Sequence, residues 1–509
     1  MKYLIFAPAY CSFLSPAAVT QVIDDAVQFA EQGHEVTLAY CDNSISRYCG
    51  VNTAQSKGAC KTCRLYMHSL LKAKPVRHCK GLNLIKYTDH ELSTVEFSYN
   101  SVNDIKNIYY KGVAVGLAAY SSFLSISRNL YPKIDSHFRN YFDKLLQSAC
   151  NYTDFTLDLV ERIKPDIVCG LNSRAVYSRP VRDITRIKGI PYECWEGAYD
   201  RRSQYRKTSF GDSTPHDPET NRRLVEEKWS NSALPEEERA KIGEEFYYKR
   251  RNSIPAGDKL YVKNQLSGKL PDDFDTSKHN ILILNSSEDE YASISEDFSI
   301  GFPFQSQYIG IRYISDALSG MPDYHLYLRI HPNLKGISYL YHTKLYELEK
   351  DHPNLTVIPP ESPISTYSMI DVCEKILVFG SMTGPEATYW GKPVILMYNS
   401  LYAKLDMTYN PHTPKEVIDL ITTEDLPAKS RVQAIKFGYF MLNDENKGYK
   451  YLNPERSHMD LFGRSFDYHI VDAGAIRSKW LIFLQTIGKY LYYKHLDFPN
   501  EEDPAFYEK

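Results

Sequence analysis

The chain opens on a short apolar run, residues 2–6, that reads as a buried strand. Apolar positions at helical spacing follow over residues 17–32, and Gly33 supplies a stop. Residues 35–40 form a second β-type run. Strand, helix and strand in this order make a βαβ unit, so a parallel sheet begins at the N-terminus. Residues 41–80, rich in Cys, Lys and Gly, interrupt the pattern as an insertion. Residues 112–127 read as a buried helix, shorter than the ~20 residues a membrane span needs. A long helix is predicted over 135–163, then a strand at 167–171, a helix at 181–188 and a strand at 190–194.

Between 200 and 260 the pattern gives way to Arg, Glu, Lys, Ser and Pro, with a charged helix predicted over 235–251 and a domain boundary between 255 and 278. At 280–284 the alternation restarts. Strands at 325–330, 355–358, 375–379 and 393–396 alternate with helices at 308–319, 339–350, 366–373 and 384–390. The expected fold class is α/β: two Rossmann-like doubly wound domains, 1–265 and 276–412, facing a cleft, with a helical extension over 413–509 packing across both. That extension ends in a basic amphipathic helix at 475–495, which suits either interdomain packing or a membrane surface.

Composition narrows the function classes. At about 150 residues per domain, 509 residues accommodate more than one domain. Lys plus Arg is 60 against 63 for Asp plus Glu, a net charge of −3, so the basic footprint of a nucleic-acid binder is missing. The mean hydropathy of −0.42 excludes a polytopic membrane protein. The uncharged stretch 3–23 is broken by Pro8 and Pro16, so strand, loop and helix fit it better than a secretory signal, and a cytoplasmic location is expected. Tyr, with 41 copies, is spread along the whole chain and reads as a composition bias. Ten cysteines are too few for a disulfide scaffold. Cys49, Cys60 and Cys63, with Cys41 nearby, could form a structural zinc site around one CxxC knuckle; the alternative is a set of unrelated reduced thiols.

The chemistry-bearing segment is 376–397, ILVFGSMTGPEATYWGKPVILM. A buried strand ends at Phe379, and a small, hydroxyl-bearing turn leads into a helix. Backbone N–H groups at such a helix start, with Ser381, Thr383 and Gly384, suit a phosphate, and Glu386 would lie within reach of a ribose diol. The bland alternative is an ordinary capped turn. His331 follows another strand end, with Arg329 two residues before it and Pro332 after it, placed to stabilise charge on a leaving phosphate. Ser286, Ser287, Glu288 and Glu290 sit at a third strand end, either contacting nucleotide or capping a helix. In the first half, Asn172 and Arg174 follow one strand and Glu193 and Glu196 end the next. Neighbouring residues of a strand face opposite sides, so only one of the two carboxylates, three positions apart, is expected to enter a cleft, Glu196 before Glu193, as the base that takes a hydroxyl proton.

Taken together, FGSMTGPEATYWGKPVI, NSSEDEY at 285–291, RIHPN at 329–333 and VIPPESPISTY at 357–367 resemble, in order and spacing, the motifs of bacterial capsule-polysaccharide biosynthesis glycosyltransferases of the GT-B type. The resemblance is looser in the first half, through Gly33-His34-Glu35-Val36, Asn172-x-Arg174 and Glu196-Gly197. His-Pro followed by Ser-x-Thr also resembles transferases that use CMP-activated acidic sugars. The resemblance implies a transferase that moves a sugar from a UDP- or CMP-activated donor to a growing surface polysaccharide or lipid-linked glycan, with no metal or added cofactor in the chemistry. It also implies peripheral contact with the inner membrane or capsule machinery. Val394 stands eight residues after Glu386, where retaining GT-B enzymes often carry a second Glu, so the stereochemistry stays open. Two alternatives share the fold: a nucleotide-sugar 2-epimerase and a non-catalytic glycan-assembly subunit.

Overall fold

A computed structural model describes residues 1–7, 16–41, 52, 55, 57–87, 94–199, 205–254, 256, 261–262, 264–294, 301–442, 449–452, 454–461, 464–471, 483 and 498–503. The chain divides into two compact units: Met1–Pro215 with Asp444–Asn500, and His216–Asn443 with Glu501–Lys509.

In chain order, unit 1 contains β1 (Lys2–Ala7), α1 (Pro16–Glu31), β2 (Glu35–Tyr40), α2 (Lys57–Leu71), α3 (Lys74–Arg77) and β3 (Leu82–Lys86). It continues with α4 (Val102–Lys106), α5 (Val115–Ser127), α6 (Ser136–Ile163), β4 (Ile167–Leu171), α7 (Arg179–Lys188), β5 (Tyr192–Tyr199) and β6 (Tyr205–Ser209). The sheet order is β3-β2-β1-β4-β5-β6, with only β6 antiparallel to its neighbour. Ile5, Val19, Val22, Ile23, Val36 and Leu38 share one core beneath α1, and Leu4 and Phe6 are buried as well, which is why β1 reads as a continuous apolar run. Helix α5 is buried along most of its length, and Phe123 meets Phe138 of α6 edge-on at 5.3 Å. The Asp135 side chain caps α6 through the Phe138 N–H, and Gly189 at φ +64° ends α7.

Two readings of this half change. Residues 57–80, read as part of an insertion, instead carry α2 and α3, the crossover that feeds β3 into the sheet. The strand β3 lies at the edge with mostly exposed or half-exposed side chains, so its pattern lacks the buried-strand signature. Strand β6 lies inside the polar stretch, again at an edge.

Unit 2 contains α8 (Pro218–Ser230), α9 (Glu236–Arg251), β7 (His279–Leu284), α10 (Glu288–Tyr291), α11 (Gln307–Leu318), β8 (Tyr324–Arg329) and α12 (Leu340–Asp351). After these come β9 (Leu355–Ile358), α13 (Thr366–Val372), β10 (Lys375–Val378), α14 (Thr383–Tyr389), β11 (Val394–Leu396), α15 (Pro414–Thr422) and α16 (Arg431–Leu442). The five strands are all parallel, in the order β11-β10-β7-β8-β9. The winding reverses between β7 and β10, which opens a crevice at their C-terminal ends. Residues 216–254, which the pattern placed in the first domain, belong here: α9 packs on α16, and Phe246 and Tyr247 join the core of Ala434 and Phe437. An added Cβ on Gly243 would fall 2.2 Å from the Ile435 carbonyl oxygen, so only glycine allows this approach.

The segment 413–509 is not one helical extension. Helices α15 and α16 belong to unit 2, whereas β12 (Pro454–Leu461) and β13 (Arg464–Val471) form an antiparallel hairpin in unit 1. Just before that hairpin the Lys450, Tyr451 and Leu452 N–H groups donate to the buried Asp24 carboxylate at 2.8, 2.7 and 2.6 Å. The amphipathic stretch 475–495 lies almost entirely outside the described residues. Among the described residues, no helix is long and apolar enough to cross a membrane.

Candidate functional site

The C-terminal ends of β7, β8 and β10 surround a cavity of about 240 Å³ in unit 2. Eight residues singled out from the sequence line it: Ser286, Ser287, Glu290, Arg329, His331, Ser381, Thr383 and Glu386. They come from three chain segments up to 100 positions apart, since Ser286 and Glu386 face the same space. Gly384 does not line the cavity. It is buried behind it, where a Cβ would fall 2.6 Å from the Tyr402 hydroxyl.

The loop between β10 and α14 is held from below. Gly380 has φ +84°, and a Cβ there would meet the Tyr291 hydroxyl at 2.7 Å. Tyr291 donates to the Gly380 carbonyl at 3.1 Å and Tyr402 to the Ser381 carbonyl at 2.6 Å. The expected phosphate cradle of free helix-start amides differs in detail. The Thr383 N–H already donates to Ser381 Oγ at 3.3 Å, and the Gly384 N–H to the Ser381 carbonyl. The helix itself spans only Thr383–Tyr389.

The donors with unspent capacity lie elsewhere. Asn285 Nδ2, Ser286 Oγ and Arg329 Nε are buried and have no hydrogen-bond partner among the described residues. Each neighbouring atom is committed: Asn285 Oδ1 accepts the His331 N–H at 2.7 Å, and Arg329 donates through its terminal nitrogens to the Pro359 and Ser362 carbonyls. Gln307 fixes the Ser286 backbone, accepting its N–H at 2.8 Å and donating to its carbonyl at 2.9 Å. Burial pushes the Arg329 guanidinium down to about 10, so it remains a cation at neutral pH. His331 Nδ1 accepts the Asn333 N–H at 3.1 Å, which assigns the proton of the neutral ring to Nε2. The ring packs edge-on against Tyr261 at 5.0 Å.

Glu386 is placed differently from the expectation. It is 2% exposed, and both oxygens are engaged within the wall: Arg250 Nε donates to one at 2.7 Å, and the Tyr367 hydroxyl donates to the other. Burial and this carboxylate hold the Tyr367 phenol well above its ordinary pKa. Arg250 also donates to the Ala256 carbonyl at 3.3 Å. Arg250, Tyr261, Asn285 and Tyr367 all line the cavity and were not singled out as site residues. Asn285 and Tyr367 lay inside recognised segments, whereas Arg250 reads in sequence as the end of a solvated charged helix.

In unit 1 the structure joins three of the four candidates. Arg174 Nε donates to Asn172 Oδ1 at 3.2 Å, and Asn172 Nδ2 donates to Glu196 Oε2 at 2.5 Å. Asn172 and Ser173 both lie in the left-handed region, at φ +63° and +66°. The Glu193 carboxylate accepts from Ser209 of β6. The two carboxylates thus part as the strand alternation requires. Of the cysteines considered for zinc, Cys41, Cys60 and Cys63 are buried and Cys49 lies outside the described residues. Asn52 donates to Cys60 Sγ at 3.1 Å, and no group of three or more metal-ligating side chains occurs among the described residues.

No protein-family model and no curated protein matches the chain. Solved structures are similar in architecture. A β-Kdo 2,4 transferase, KpsC of Thermosulfurimonas dismutans, matches at 14% identity and a TM-score of 0.35, covering 63% of this chain and 87% of its own. The UDP-GlcNAc 2-epimerase of Neisseria meningitidis matches at 11% identity and a TM-score of 0.28, covering 88% and 95%. The glycosyltransferase SnogD of Streptomyces nogalater matches at 12% identity and a TM-score of 0.24, covering 87% and 95%.

Proposed function

We propose that the chain is a glycosyltransferase whose unit 2 binds a UDP- or CMP-activated sugar for transfer to a surface polysaccharide or lipid-linked glycan. The observation that carries this reading is the set of three buried polar groups without a partner among the described residues, Asn285 Nδ2, Ser286 Oγ and Arg329 Nε, around one cavity. Leaving a buried donor unsatisfied costs about 1–3 kcal/mol each, a cost that a bound phosphate or sugar oxygen removes. Their position at the end of a doubly wound sheet, beside the segment 376–397, supports a nucleotide-sugar as that ligand. His331 Nε2–H, Ser381 and Thr383 would stabilise the leaving phosphate, with charge balance from side-chain cations rather than a metal. On unit 1, Glu196 is assigned as the base, oriented by Asn172, and Arg174 as an acceptor contact. The chemistry needs no further cofactor, and zinc at Cys41, Cys49, Cys60 and Cys63 would be structural only.

A thermal-shift panel of UDP, CMP, GDP and ADP tests the site on wild type and Ser286→Ala. A ligand at about 100 times its Kd contributes about 2.7 kcal/mol, or roughly 5–10 °C for a unit of this size. Because the Ser286 hydroxyl has no partner among the described residues, alanine there is expected to leave the unliganded Tm unchanged or higher and to shrink the ligand shift. No shift with any nucleotide would overturn the assignment.

A further inference from the structure

Resting on that reading of the cavity, we infer that Arg250 is an anion-binding residue of the site. Glu386 is then its positioning residue and not a ligand to ribose. The argument starts from the commitments of the Glu386 carboxylate. One oxygen accepts from Arg250 Nε at 2.7 Å and the other from the Tyr367 hydroxyl, with the Arg250 and Glu386 side chains only 6% and 2% exposed. A diol ligand would have to displace or share two charge-assisted bonds that are already made.

Arg250 is fixed from three further directions. Its Nη1 donates to the Ala256 carbonyl at 3.3 Å, its guanidinium lies 5.4 Å from the Phe246 ring centre, and helix α9 is locked against α16 at Gly243. A guanidinium so constrained contacts a ligand without losing side-chain entropy on binding. It lines the same cavity as Arg329, so the site presents two cations drawn from separate elements. One is balanced by Glu386 in the wall, and Arg329 has no ion pair among the described residues. A buried ion pair contributes little net stability compared with apolar packing, so its value here lies in holding the cation in place.

The test is calorimetric titration with UDP, CMP and inorganic pyrophosphate on wild type, Glu386→Gln and the double variant Arg250→Gln/Glu386→Gln. The double variant removes both charges together and leaves no unpaired buried ion. It is expected to lose about tenfold or more in affinity for the nucleotide that binds and for pyrophosphate alike. Glu386→Gln alone is expected to change both affinities by one common factor, because the effect passes through Arg250 to the phosphate. A selective loss of nucleotide affinity with pyrophosphate affinity kept would put the carboxylate on the ribose and overturn the assignment. Unchanged affinities in a folded double variant would reduce the pair to a structural strut and also overturn it. If wild type binds none of the three probes, the reading of the cavity as a donor site falls, and the assignment falls with it.

Discussion

Helix α9 reaches the cavity only because it can lie unusually close to α16. A Cβ on Gly243 would sit 2.2 Å from the Ile435 carbonyl oxygen, and one on Gly438 would sit 2.3 Å from the Gly243 carbonyl oxygen. An ordinary carbon–oxygen contact is about 3.3–3.6 Å, so Gly243→Ala requires the helices to part by about 1 Å. Both obstructing atoms are backbone, so no rotamer change relieves the clash. Overpacking of this kind costs about 1–3 kcal/mol beyond what relaxation recovers. The intrinsic helix preference of alanine over glycine, about 1 kcal/mol, works in the opposite direction. The clash is severe enough to dominate, and a net loss of up to about 2 kcal/mol lowers the Tm by up to roughly 4–8 °C for a unit of this size. Differential scanning fluorimetry of Gly243→Ala reads this directly. The same displacement withdraws Arg250 from Glu386, so pyrophosphate affinity is expected to fall in parallel. An unchanged or higher Tm would mean that helix propensity outweighs contact, and would refute the claim that these glycines are required for the approach.

Burial, with Glu502 and Asp289 adding to it against the opposing Gln307 N–H, pushes the Glu288 carboxyl up to about 7 from 4.5. The fold therefore keeps a proton that the unfolded chain releases. Stability is expected to fall by at most about 3 kcal/mol as pH rises from about 4.5 through 7, and Glu288→Gln should flatten that fall in a Tm series from pH 5 to 9. Asp24→Ala removes the acceptor of three consecutive N–H groups and should cost about 2–4 kcal/mol, read as a lowered urea midpoint. Gly380→Ala combines a left-handed φ with a Cβ 2.7 Å from the Tyr291 hydroxyl, and should abolish nucleotide binding while the far-UV spectrum stays native.

Much of unit 2 was legible because its strands are buried on both faces. β7, β9 and β10 lie within one residue of the runs read from the sequence, and the turn after β10 was recognised by its Gly, Ser and Thr. The failures have a common cause. Strands β3 and β6 lie at sheet edges, where the sheet constrains only part of each side chain's surroundings and the apolar run is lost. The hairpin β12–β13 lies in a stretch read as helical, and pairing between strands is a tertiary fact that local propensity does not contain. Among site residues, the hydroxyls and His331 were visible as motif chemistry. Arg250 was not, because a charged residue in the last turn of a helix looks the same whether it faces water or a buried carboxylate.

The sequence by itself determined that the chain is α/β with two doubly wound sheets, because the alternation of buried strands and amphipathic helices leaves few other topologies. It also determined which strand ends carry polar, small and cationic residues. Only the tertiary structure decided which of these residues meet, and with which partners. It drew residues 216–254 into unit 2, closed α9 onto α16 through glycine, and turned Glu386 from an apparent ligand into the partner of Arg250 and Tyr367. The physical reason is range: periodicity and turn chemistry act over a few residues, whereas a buried charge must find its counter-charge wherever the packed chain brings one, here 136 positions away.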